Sequence, residues 1–202
     1  MIEAVIFDLY GTLVHLPGNT QPYVTLARRS QSYQLRDALR LALTHDCAKL
    51  DDYVQLLGLP PQPDLDELEQ ALQNDISGAA LFDDTLAVME HLHGKRIKTA
   101  VISNLATPYK AVLCTQGLES YMDATIFSCD CGLKKPDTAI YALALDKLDV
   151  LPHNAVMVGD SYPCDVVGPG KLGIIGTHIV RSGAPDPKSN TIVSLAELLV
   201  KL

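Results

Sequence analysis

The chain has 202 residues, of which 48% are hydrophobic and 20% charged, and its formal net charge is −8. That length suits one large domain or a domain carrying an insertion, with the composition of an ordinary soluble globular protein. The acidic balance argues against a general nucleic-acid or anionic-membrane binder, both of which need basic patches, and no apolar run approaches a bilayer-spanning length.

Met1-Ile2-Glu3 leads straight into the apolar run Ala4-Val5-Ile6-Phe7, so the expectation is a chain without a signal peptide. The run ends on Asp8 and is broken by Gly11, the pattern of a buried strand of a parallel sheet. Ligands of open α/β sheets sit outside the carboxyl ends of the strands, where Asp8 falls. A carboxylate there is costly unless it is paired, metal-bound or chemically employed.

From about Pro17 to Asp83 the texture is helical. Asn19-Thr20-Gln21-Pro22 reads as a helix start, and Val24, Leu26 and Ala27 give a partly apolar face. Leu35, Ala38, Leu39, Ala42 and Leu43 recur at three- and four-residue steps, which predicts an amphipathic helix. Lys49 to Leu57 reads as a third helix closed by Gly58. After the rigid connector Pro60-Pro61-Gln62-Pro63, Asp64 caps a fourth helix through Leu72. An all-helical block between one strand and the rest of an α/β sheet reads as an inserted domain. Its basic residues Arg28, Arg29, Arg36, Arg40 and Lys49 are outnumbered by acidic ones, so it is no cationic lid.

From Asp84 onward helix and strand alternate. Helices are predicted over 86–93, 108–116, 137–148 and 164–172, with a last one starting near Ser194. Strands are predicted over 97–102, 124–127, 155–158 and 174–180. Repeated units of this length imply right-handed crossovers and a parallel sheet with helices on both faces. Residues 182–190 read as a surface loop. The cysteines 47, 114, 129, 131 and 164 form no disulfide-scaffold pattern, which fits reduced thiols in a cytoplasmic protein. The one-residue spacer of Cys129-Asp130-Cys131 is not a zinc spacing.

Four short polar clusters follow or flank these elements: Asp8-Leu9-Tyr10-Gly11-Thr12, Ser103-Asn104, Lys134-Lys135-Pro136-Asp137 and Gly159-Asp160-Ser161. In this order and spacing they resemble the signature motifs of the haloacid dehalogenase superfamily, the aspartate-nucleophile hydrolases. The resemblance covers the core from end to end. It implies a Rossmann-like core over residues 1–14 and 84–202, with a small helical cap over residues 15–83.

The resemblance also implies roles. Asp8 is the nucleophile, because a carboxylate splits one hard displacement into two easier ones. Thr12, Ser103 and Asn104 hold substrate oxygens. A lysine supplies a neutralising point charge; spacing alone does not separate Lys134 from Lys135, and the family motif, with its lysine directly before the proline, selects Lys135. Three converging carboxylates repel unless a hard cation bridges them. The implied cofactor is Mg²⁺, held by the Asp8 and Asp160 side chains and the Tyr10 carbonyl, with Asp165 close by.

Tyr10 departs from the phosphatase pattern, in which a second aspartate protonates the leaving oxygen and then activates water. A phenol of pKa about 10 is a poor general base at neutral pH. Tyrosine at this position is similar to the metal-free 2-haloacid dehalogenases, whereas Asp160 is absent from them. The expectation is a Mg²⁺-dependent phosphatase of a small phosphorylated metabolite, acting as monomer or homodimer through an aspartyl-phosphate on Asp8. The rivals are a metal-free dehalogenase and a weakly active member that binds a ligand.

Overall fold

The computed structural model describes residues 1–18, 20–183 and 190–201. Asn19 of the expected helix start and positions 184–189 of the expected surface loop lie outside the described residues. No helix among the described residues is long and apolar enough to cross a membrane.

The strands are β1 (Ala4–Phe7), β2 (Val14–His15), β3 (Ala80–Leu81), β4 (Lys98–Ser103), β5 (Ala124–Phe127), β6 (Ala155–Gly159), β7 (Ile175–Ile179) and β8 (Thr191–Ile192). The helices are α1 (Pro22–Arg29), α2 (Leu35–Thr44), α3 (Leu50–Leu56), α4 (Leu65–Ser77), α5 (Thr85–Gly94), α6 (Ala111–Thr115), α7 (Ser128–Cys131), α8 (Thr138–Leu148), α9 (Gly168–Gly170) and α10 (Leu198–Lys201). A further helical turn spans Tyr162–Val167. Six strands form one parallel sheet in the order β5-β4-β1-β6-β7-β8, so the fold is α/β as the alternation predicts.

Each strand of the sheet centre is buried on both faces, which is why it reads as a continuous apolar run. Successive side chains alternate between two cores. Ala4 and Ile6 join Ala100, Ile102, Met157 and residues of α8 such as Ile140 and Ala144 on one face. Val5 and Phe7 join Val101, Val158 and the α5 residues Val88 and Leu92 on the other, a core that continues into the helices between β2 and β3. Each fully buried Ile, Leu or Phe contributes about 1.5–3 kcal/mol relative to exposure.

Helices α1 to α4 form the insert between β2 and β3, which pair antiparallel at its root. Thr107 of the main body ties it down from the other side: its hydroxyl donates to Asp46 at 2.8 Å and accepts from the Cys47 N–H at 3.1 Å. Helix α4 runs to Ser77, beyond the expected end at Leu72, because Ile76 continues the buried stripe of Leu72 one turn later. Strands β2, β3 and β8 escaped the sequence reading, since a two-residue strand carries no period. The segment expected as one helix over 164–172 is split between the Tyr162–Val167 turn and α9.

Candidate active site

Strand β1 lies between β4 and β6, with Phe7 opposite both Val101 and Val158. Asp8 is one step past Phe7, Ser103 two past Val101 and Asp160 two past Val158, so three of the sequence clusters end side by side. The pairing continues one residue further, the Asp8 N–H donating to the Val158 carbonyl at 2.9 Å. Gly11 then turns the chain at a φ of 76°, a conformation that side chains disfavour.

Lys135 supplies the cation. Its Nζ lies 2.9 Å from Asp8 Oδ1 and 2.7 Å from Asp165 Oδ1, and the residue is only 2% exposed. Burial alone would lower its pKa; the charges of Asp8 and Asp165 overturn that and raise it, so the ammonium stays charged. The backbone of Lys135 is clasped by Asn104: the Lys135 N–H donates to Asn104 Oδ1 at 2.8 Å, and Asn104 Nδ2 donates to the Lys135 carbonyl at 2.9 Å. Asp165 is fully buried and also accepts from the Ser161 N–H at 2.9 Å. Lys134, its rival by spacing, is half-exposed.

Asp160 closes the cluster at the exposed rim. Ligand oxygens of Asp8, Asp160 and Asp165 all lie within 4.8 Å of one another, and this is the one group of potential metal ligands among the described residues. Partial desolvation, followed by the charges of Asp8 and Asp165, pushes the Asp160 carboxyl up to about 6. The close approach depends on glycines. A Cβ at Gly11 would stand 2.3 Å from Asp160 Oδ2, and one at Gly159 2.2 Å from the Asp165 carboxylate. Three carboxylates against one ammonium leave two negative charges, all carried by hard oxygen donors. That donor set fits a divalent cation such as Mg²⁺. Thr12 is fully buried beside the cluster, and its Oγ1 has no hydrogen-bond partner.

Tyr10 turns its phenol away from proton chemistry, donating to the Tyr109 carbonyl at 2.8 Å with the two rings edge to face. Burial, then Tyr109, pushes its pKa well above the ordinary phenol value. Tyr10, Tyr109, Asn104 and Tyr23, Leu39 and Ala42 of the helical insert line a cavity of about 350 Å³. The spacing of α2 marked Leu39 and Ala42 as one apolar face, but nothing near Tyr109 in the sequence pointed to a site. None of the insert's arginines lines this cavity; Arg29 instead pairs with Asp64 at 2.7 Å. Asp130, between Cys129 and Cys131, pairs with Lys110 at 2.7 Å.

A parallel α/β sheet whose central strands end beside three clustered carboxylates, two of them paired with a buried lysine, carries the groups of a hydrolytic site. The haloacid dehalogenase-like hydrolase family matches residues 2–173, and the chain belongs to that family. It is 25% identical to the glyceraldehyde 3-phosphate phosphatase of Methanopyrus kandleri, over 92% of this chain and 87% of that one. It is 26% identical to (S)-2-haloacid dehalogenase 4A of Burkholderia cepacia, over 98% and 93%. It is 30% identical to the mouse haloacid dehalogenase-like hydrolase domain-containing protein 3 over 73% of this chain, and spans only 63% of the mouse protein. The crystal structure of a phosphatase of this superfamily from Thermococcus onnurineus shares the fold, with a TM-score of 0.72 at 22% identity over 99% and 97% of the two chains.

Proposed function

We propose that this chain is a Mg²⁺-dependent phosphatase of small phosphate monoesters, with Asp8 as nucleophile and the helical insert over residues 15–83 acting as a cap on the core of residues 1–14 and 84–202. The observation that carries this reading is the convergence of Asp160 with Asp8 and Asp165, two carboxylates that already share a single ammonium. Asp8 and Asp160 side chains and the Tyr10 carbonyl would hold the ion, with Asp165 close by. When bound, the ion neutralises charge on the transferring phosphoryl group.

The protein's own groups divide the remaining work. An Asp8 carboxylate oxygen attacks phosphorus, and the bond from phosphorus to the leaving oxygen breaks with its electron pair on that oxygen, giving an aspartyl-phosphate. Lys135, fixed by the Asn104 clasp and by Asp165, holds positive charge against Asp8 throughout. The partnerless Thr12 hydroxyl and Ser103 supply donors to phosphate oxygens. Water then attacks phosphorus, Asp8 leaves as carboxylate, and dihydrogen phosphate carries both water protons away. The cap excludes bulk water and sets substrate choice.

Tyr10 and the Burkholderia relative favour a second reading, displacement of halide from a 2-haloacid by Asp8. Rates on phosphate monoesters and 2-haloacids, measured with MgCl₂ and with excess chelator, decide between them. Phosphate release that vanishes in chelator supports the phosphatase; dehalogenation that persists in chelator overturns it.

A further inference from the structure

The cavity between the helical insert and the tip of β4 measures about 350 Å³, at the small end of ligand-binding pockets. Its described lining residues include no Lys, Arg, His, Asp or Glu; they are aliphatic apart from Asn104 and the tyrosines Tyr10, Tyr23 and Tyr109. Asn104 ties the cavity to the catalytic centre, because the same side chain clasps the Lys135 backbone. Tyr10 is two residues past Asp8. The uncharged aromatic wall is thus joined to the catalytic cluster through Asn104 and Tyr10, and it is the side on which an ester bound at Asp8 would find an apolar surface.

A sugar, a second phosphate or a carboxylate would lose its hydration there with few polar partners in return. An arene would be received by ring edges and faces. The Tyr23 hydroxyl, buried and without a partner, leaves one donor for a lone polar substituent.

A second observation points the same way. The residue two past Asp8 is a tyrosine whose hydroxyl is committed to the Tyr109 carbonyl, so no carboxylic acid stands there to protonate a leaving oxygen. An alkoxide needs that proton, whereas a phenolate is stable enough to depart without it.

Resting on the phosphatase reading, we infer that the substrate is the monophosphate ester of an apolar phenol, not a sugar phosphate. Asp8 attacks phosphorus, the bond from phosphorus to the aryl oxygen breaks, and the electron pair leaves on the phenolate. Water later cleaves the aspartyl-phosphate as above, which restores Asp8 and releases phosphate.

The test compares kcat/KM in MgCl₂ for 4-propylphenyl phosphate, phosphotyrosine and glucose 6-phosphate. The first two share an aryl leaving oxygen and differ in whether the far end of the ring is apolar or charged. The propylphenyl ester should exceed phosphotyrosine by at least about tenfold, and glucose 6-phosphate by more. Ala42→Phe, which fills the cavity, should raise KM for the propylphenyl ester and narrow its advantage over phosphotyrosine. Leu39→Gln, at a half-buried position, should narrow it without overpacking. A higher kcat/KM on phosphotyrosine or glucose 6-phosphate, or an unaltered preference in both variants, overturns the inference and leaves the phosphatase reading standing. No Mg²⁺-dependent phosphate release from any of the three overturns both.

Discussion

Asn104 and Lys135 hold each other through two reciprocal hydrogen bonds, at 2.8 and 2.9 Å, that join the tip of β4 to the loop before α8. Both ends of the Asn104 amide are used in this clasp, so its main work is to fix where the Lys135 ammonium sits. Asn104→Ala should lower kcat by about 10²-fold, the cost of misplacing a catalytic group by roughly 1 Å. Asn104→Asp keeps the acceptor and loses the donor, and should fall between the two. Steady-state kinetics on one phosphate ester check the order.

Asp160 adds a third carboxylate to a cluster with one ammonium, so its removal should have opposite effects on stability with and without cation. Asp160→Asn should melt higher than the parent protein in chelator, because a like-charge contact is relieved. Saturating MgCl₂ should stabilise the parent by about 2.7 kcal/mol at a hundredfold excess over Kd, and the variant far less. Thermal melts with and without MgCl₂ measure both. A parent protein whose Tm ignores MgCl₂ would contradict the proposed ligand set.

Tyr10→Asp restores the carboxyl group that the phosphatases of this superfamily carry two residues past the nucleophile. General acid–base catalysis is worth about 10²–10⁴-fold, so kcat on an alkyl phosphate should rise by at least tenfold. An unchanged rate would mean that another group already moves the proton.

Asp84, at the start of α5, ties together the segments that follow β7 and β8. Its Oδ2 accepts from Arg181 at 2.7 Å, from the Ser194 hydroxyl at 2.7 Å and from the Leu195 N–H at 2.8 Å. Burial alone would raise its pKa; these three donors overturn that and hold it below the usual carboxylate range. A depressed native pKa gives stability that is fully present above the unfolded value near 3.9 and is lost as pH falls through the native one. Asp84→Asn should therefore cost about 1.5–3 kcal/mol at pH 7, the worth of hydrogen bonds to a charged group. In denaturant titrations the gap between parent and variant should shrink below about pH 4.

The strands of the sheet were legible in the sequence because their signals are local, whereas the carboxylate cluster was legible through the family resemblance. An apolar run ends on an aspartate at Asp8, with the turn glycine Gly11 after it, and again at Asp160, where Gly159 closes the strand. Lys135 was separable from Lys134 only through the family motif, and burial of one against half-exposure of the other gives the physical reason. Asn104 was expected to offer its amide to substrate; its partner lies across two loops, a contact no window reveals. The aromatic cavity was invisible for the same reason, since Tyr10, Tyr23 and Tyr109 meet only after the chain has folded.

The sheet order places β1, β4 and β6 at the centre and the two-residue β8 at the margin. Mild denaturant should fray that margin first, while the innermost strands, and the acidic nest at their tips, keep their spacing. The enzyme should thus retain turnover after its periphery has begun to exchange amide hydrogens, and fail only when the middle of the sheet parts.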